Sequence, residues 1–229
     1  MNLHTIDGEP VELSRVIKAG IAMADPTEKY CDPSAYEVAV AIALARNSVA
    51  GGVARTTLDL LNFPPNTEVR PSILDIGAGT GLLSGRLSKQ GADVTATDIS
   101  QAQLDYIQAH NRASHTEILD FNKPFGFPND HFHGVVTLAA NRYIEKLLDF
   151  AKEVHRILKP EGVFVWPFFW QDNIEFIKSQ RGLISPSGFS QILGDVGFRD
   201  HYVSVQDTIK NGALIFPHWA APVYVIGRK

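Results

Sequence analysis

Cysteine is nearly missing: Cys31 stands alone among 229 residues, so no intrachain disulfide can form. No apolar run approaches the roughly 20 residues that span a bilayer. Lys and Arg never gather into a basic run, and with 25 acidic against 21 basic side chains the formal net charge is -4. Such a chain has no broad positive field to draw it to nucleic acid or an anionic membrane. The opening Met1 to Asp7 is polar and lacks the basic and apolar regions of a secretory signal. These absences predict a cytoplasmic protein of a reducing compartment, with no membrane insertion and no nucleic-acid partner. His131-Phe132-His133 alternates two histidines, but no acid or cysteine ligand accompanies them, so they are read as solvent-facing and no metal site is expected.

Apolar residues make up 45% of the chain, enough for one well-packed α/β domain with an appendage. Residues 1–70 read as an N-terminal helical cap, because Val11 to Ala24 and Ala35 to Leu61 carry apolar residues without strand-like alternation. Asp32-Pro33 has the form of a helix start, with Asp32 capping and Pro33 in the first turn. Phe63-Pro64-Pro65-Asn66 and Pro71 break the pattern, which sets a second domain over residues 71–229. There the signals alternate: a strand at Ile73–Ile76, a helix stopped by Gly91, and a strand at Asp93–Asp98. Next come a helix opened by the capping-box spacing Ser100 to Gln103, and strands at Thr116–Phe121 and Gly134–Ala139. Ile144, Leu147, Leu148, Ala151, Val154 and Leu158 recur at helical spacing up to a stop at Lys159-Pro160-Glu161-Gly162. A fifth strand at Val163–Trp166 is expected to end its pairing at Pro167. A helix from near Pro186 to Gly197 and two strands, about 199–207 and 222–228, complete the chain.

The stretch that carries chemistry is Asp75-Ile76-Gly77-Ala78-Gly79-Thr80-Gly81, an apolar strand breaking into three glycines and then a helix. Glycines at such a turn let the backbone approach a ligand closely. The dinucleotide fingerprint G-x-G-x-x-G needs its third glycine at position 82, where Leu82 stands. A cofactor without a pyrophosphate suits this turn better. Asp98 closes the second strand and Asp120 the third, and a fixed carboxylate can accept from two ribose hydroxyls at once.

From about Pro71 to Lys229 the sequence resembles the class I S-adenosylmethionine-dependent methyltransferases, small-molecule branch. Arg156-Ile157-Leu158-Lys159-Pro160-Glu161-Gly162 is similar to that family's R-x-L-K-P-G-G turn, with Glu161 in place of the first glycine. The resemblance implies a Rossmann-like α/β fold with a seven-stranded sheet, six strands parallel and the last antiparallel, beneath the helical cap. It implies S-adenosylmethionine as cofactor, with its methionine end held by Asp75, Gly77, Ala78, Gly79 and Gly81. Asp98 would take the ribose, Ile99 would pack on the adenine, and Asp120 with Phe121 would meet its amino edge. Leu138, at the end of the fourth strand, and the cap tyrosines Tyr30 and Tyr36 complete the expected cofactor contacts. His133 falls where the family has a structural Asp and is not read as catalytic.

Ligands of parallel sheets meet the carboxyl ends of the strands. The segments there carry Arg142 and Tyr143, then Phe168, Phe169 and Trp170, then Phe216, His218 and Trp219. This aromatic density points to a small apolar or aromatic methyl acceptor, with packing of the cap as the competing role for the same rings. Arg142 suits an acceptor carboxylate or a surface charge. If the acceptor is a hydroxyl, His218 and Tyr143 are the candidate bases. A NAD-dependent reductase, and a cofactor-binding or interaction protein without catalysis, are the alternative readings.

Overall fold

The computed structural model describes residues 3–4, 10–12, 14–15, 32–35, 47–63, 68–138, 140, 143–168, 186–205 and 223–229. Its centre is a seven-stranded sheet. Before the sheet come a two-stranded ribbon, β1 (Leu3–His4) and β2 (Pro10–Val11), and helix α1 (Asn47–Leu61). The sheet begins with β3 (Ser72–Ile76), α2 (Leu82–Lys89), β4 (Asp93–Asp98), α3 (Gln101–Ala109) and β5 (His115–Ile118). It continues with β6 (Phe132–Thr137), α4 (Leu147–Ile157), β7 (Leu158–Phe168), α5 (Pro186–Val196), β8 (Asp200–Val205) and β9 (Val223–Arg228).

The strand order is β5-β4-β3-β6-β7-β9-β8. The β5, β4, β3, β6 and β7 neighbours pair in parallel, and β9 runs antiparallel to both β7 and β8. Six strands therefore share a direction and the last opposes them, as the sequence resemblance implies. Alternation along the strands sorts side chains to two faces. Leu74, Ile76, Val135, Phe164 and Trp166 face α4 and α5, where Phe150, Val154, Phe189 and Leu193 meet them. Ile73, Val94, Val136, Val163 and Val165 face α1 and α2 through Ala50, Val53, Ala54, Leu83 and Leu87. Because β3 lies between two parallel neighbours, its carboxyl end opens where the chain leaves in opposite directions on either side. That is where an α/β sheet binds its ligand.

Several local expectations change. Val11, read as helical, pairs with Leu3 in the ribbon. Helix α1 packs on the sheet, and the Arg228 guanidinium donates to Leu60 O at 2.8 Å, tying the last strand to the helix end. Pro167 does not end the fifth strand; β7 pairs with β9 through Pro167–Tyr224 to Phe168–Val223. Its parallel pairing with β6 stops at Val165, so beyond that point the missing N–H forfeits no bond on that side. Ser100 precedes α3 without the side-chain bond of a capping box. Its N–H donates instead to Asp98 Oδ1 at 3.0 Å. The Asp32 cap does form: Ala35 N donates to Asp32 Oδ1 at 3.1 Å, and Arg15 clasps both carboxylate oxygens at 2.7 and 2.8 Å.

Candidate active site

The turn after β3 adopts a conformation that only its residue types make easy. Gly77, Gly79 and Gly81 have φ of 66°, 56° and 78°, in the left-handed region where a side chain is strained. Two of them are also close-packed. A Cβ on Gly77 would lie 2.7 Å from Ala140 Cβ, and one on Gly81 would lie 2.8 Å from Ile107 Cγ1. Ala78 N donates to Thr97 O at 2.8 Å, which binds the turn to the end of β4. Behind it, the buried Arg112 donates to Thr80 O at 2.7 Å, with its guanidinium 5.2 Å from the centre of the Tyr106 ring.

Asp98 ends β4 beside this turn. Gly79 N donates to its Oδ2 at 2.9 Å and Ser100 N to its Oδ1 at 3.0 Å. Burial pushes its carboxyl above the ordinary range, against the pull of those N–H donors. Each oxygen keeps a further lone pair. Ile99, the next residue, is 66% exposed although large and apolar. An unshielded isoleucine beside a carboxylate with acceptor capacity to spare fits a ligand that joins a flat apolar ring to a pair of hydroxyls.

Asp75 lies under the turn with no exposed surface. Ser84 Oγ, in the first turn of α2, donates to its Oδ2 at 2.6 Å, and Oδ1 has no donor among the described residues. Burial, the largest influence, raises its carboxyl to about 7; Ser84 opposes the rise and nearby Asp98 adds to it.

Asp120 follows β5, but its carboxylate turns into its own loop. Asn122 N donates to Oδ1 at 3.1 Å and Lys123 Nζ lies 3.0 Å from Oδ2, so Lys123 holds the group below the ordinary carboxylate range. Phe121 stands partly buried between Gly77 and Phe150, with its ring edge-on to Phe150 at 6.3 Å. Leu138 is partly buried just beyond β6, and Tyr143 N donates to Ala140 O at 3.0 Å. The structure thus brings together Asp75, Gly77, Ala78, Gly79, Gly81, Asp98, Ile99, Asp120, Phe121, Leu138 and Tyr143 at the carboxyl edge of β3 to β6. Tyr30, Tyr36, Arg142, Phe169, Trp170, Phe216, His218 and Trp219 lie outside the described residues, and of Phe168 only the backbone, paired with Val223, is described.

His133 sits at the opposite end of β6. It is half-buried, not solvent-facing: Ser72 N donates to its Nδ1 at 3.0 Å and Phe63 meets its ring edge-on at 5.1 Å. Burial and then Lys159 lower its basicity, so it holds the sheet's amino edge as a neutral acceptor. Residues 74–166 match the protein family described as "Methyltransferase domain".

These residues thus resemble a methyltransferase domain on the Rossmann-like fold. The geometry of Asp98, Ile99 and the glycine turn fits the ribose, adenine and close-packed methionine half of S-adenosylmethionine. Over 97 residues the chain is 37% identical to the demethylmenaquinone methyltransferase of Chlorobaculum tepidum, covering 42% of this chain and 39% of that protein. It is 33% identical over 118 residues to a bifunctional protein of biotin biosynthesis from Cellvibrio japonicus, covering 51% of this chain and 23% of that one. The chain therefore spans less than half the length of either relative. The methyltransferase fold recurs in an S-adenosylmethionine-dependent methyltransferase from Mesorhizobium loti, with a TM-score of 0.61 at 18% identity over 79% of this chain and all of that one.

Sequence reasoning passed over three residues of this domain. Ser84 carries a signal in hindsight, since a serine in the first helical turn after the glycines can reach back to the strand end. Arg112 carries none, because it reaches Thr80 only once α3 has folded against the turn. Asn122 likewise spans two loops, donating to Tyr143 O at 2.9 Å and accepting from Glu145 N at 2.9 Å.

Proposed function

We propose that this protein transfers the methyl group of S-adenosylmethionine to a small apolar or aromatic molecule. The observation that carries the reading is Asp98, held by Gly79 N and Ser100 N, next to an isoleucine that is two-thirds exposed. The cofactor's sulfonium supplies an already activated methyl group, so the protein's task is mainly proximity and orientation. In this reading Asp98 fixes the ribose, Ile99 and Phe121 enclose the adenine with Asp120 at its edge, and the Asp75 to Gly81 turn with Leu138 seats the methionine half. Helix α1 packs on the sheet as part of the body with residues 71–229, and the segment before it, Tyr30 and Tyr36 included, supplies the cap over this edge in this reading.

The acceptor reading rests on the sequence of the segments after the sheet strands. Tyr143, Phe168, Phe169, Trp170, Phe216 and Trp219 offer it aromatic walls, Arg142 offers a cation, and His218 or Tyr143 takes the proton of a hydroxyl acceptor. The relatives' acceptors differ in kind, which leaves the acceptor to the walls of this chain. No helix among the described residues is long and apolar enough to cross a membrane, and we place the protein in the cytoplasm.

The test is calorimetry with S-adenosylmethionine and with NADH, followed by transfer of a labelled methyl group into a panel of phenols, quinones and amines. Binding of the first ligand alone, with label in an aromatic acceptor, is the expected result. NADH binding without S-adenosylmethionine binding would overturn it.

A further inference from the structure

The fully buried Asp75 is an acid the reading above uses only as part of a turn. Its carboxylate has one oxygen committed, to Ser84 Oγ at 2.6 Å, and the other without a donor among the described residues. An unpaired buried carboxylate is costly, and the cost falls when a positive ligand charge arrives nearby. The groups around it are few. Asp98 at the end of β4 repels its charge, Val136 is its neighbour on β6, and Thr97 Oγ1 donates to its backbone oxygen at 3.1 Å. On the remaining side, α2 brings Ser84, whose hydroxyl and N–H both favour the anion, at the positive end of the helix.

We infer that Ser84 is a positioning residue for cofactor capture: by donating to one oxygen of Asp75 it keeps the acid charged beneath the glycine turn, where that charge favours a cationic ligand. The inference rests on the S-adenosylmethionine reading and adds a proton to it. Since Asp75 titrates at about 7 without ligand, binding the cation releases part of a proton near neutrality. Ser84 sets the pH at which this happens. It makes no contact with the cofactor's reacting centre in this scheme, and its effect runs entirely through Asp75.

The experiment is calorimetric titration of the intact chain with S-adenosylmethionine between about pH 5.5 and 8.5, in buffers of different ionisation enthalpy so that proton release is read directly. The unmodified chain is expected to bind more tightly as pH rises, about tenfold per unit below 7, and to level off above it. Ser84→Ala should shift the levelling point up by about one unit, so that it binds about fivefold more weakly at pH 7, about tenfold more weakly below about pH 6, and converges on the parent at the alkaline end. Ser84→Thr, which keeps the hydroxyl, should restore the parent profile. A Ser84→Ala deficit equal at every pH would overturn the inference, as would a parent chain that binds without proton release. The proton-release measurement needs no variant, so it stands even if Ser84→Ala does not fold. Failure of the parent to bind S-adenosylmethionine at any pH would instead overturn the cofactor reading itself, and this inference with it.

Discussion

Asp98 shows how much one side chain can organise. Its two oxygens take N–H groups from the turn and from the start of α3, so a carboxylate at a strand end fixes the backbone on both sides and still has lone pairs for a ligand. Hydrogen bonds to a charged group are worth about 1.5–3 kcal/mol each, so losing two to the ribose should weaken S-adenosylmethionine binding by about two to four orders of magnitude in Asp98→Ala. Calorimetry reads this directly, and unchanged affinity would remove Asp98 from the site. Ile99→Ala makes the complementary case. With 66% of its surface exposed, Ile99 contributes little to the core, so the melting temperature should hold while affinity falls severalfold. A lower melting temperature with full affinity would assign Ile99 to packing. Glu161 is a residue-scale conflict of another kind. It has φ of 66°, in the region that favours glycine, while its side chain pairs with Arg199 on the exposed surface. Exposed ion pairs contribute little, so Glu161→Gly should raise the melting temperature, by about 2–4 °C on the scale of a chain this long.

At the scale of elements, the turn from Gly77 to Gly81 is a seam between α3, β4 and the segment after β6. Gly77→Ala would place a methyl group 2.7 Å from Ala140 Cβ, an atom fixed to backbone, and would also strain a left-handed residue. Gly91→Ala shares the strain, with φ of 92°, but its Cβ meets nothing within 4 Å. Overpacking costs about 1–3 kcal/mol, so both variants should melt earlier but only Gly77→Ala should also lose cofactor affinity. Paired melting and calorimetry separate the two effects. The same comparison explains what was legible in the sequence. Strand alternation, helical stripes and the glycine spacing are local, and they placed every strand of the central sheet, the turn, and Asp98 at its strand end. The β1–β2 ribbon was missed because two-residue strands show no period. Pro167 was misjudged because strand pairing can end on one side and continue on the other, which only the position of β9 decides. The roles of Arg112 and Asn122 depend on contacts between separate elements, so no pattern along the chain could announce them.

For the molecule as a whole, the site works against the stability of the ligand-free fold. Asp75 has an ordinary carboxyl value of 3.8 and a folded value of about 7, because burial penalises its charge and Asp98 repels it. A group raised in this way stabilises the fold fully below 3.8 and loses that contribution as pH rises to and through 7. The slope is on the order of 1.4 kcal/mol per pH unit while only the unfolded chain ionises. Asp75→Asn removes the titration while keeping the shape beside Ser84. Its melting temperature should therefore gain on the parent as pH is raised from about 4 to about 7, with the difference levelling off above that. Thermal unfolding of the ligand-free pair across this range measures it, and a difference that stays constant with pH would show that Asp75 is already charged in the fold. S-adenosylmethionine should reverse the order at pH 8, stabilising the parent and failing to stabilise the asparagine variant, because the buried charge that weakens the empty fold is the one a cationic ligand relieves.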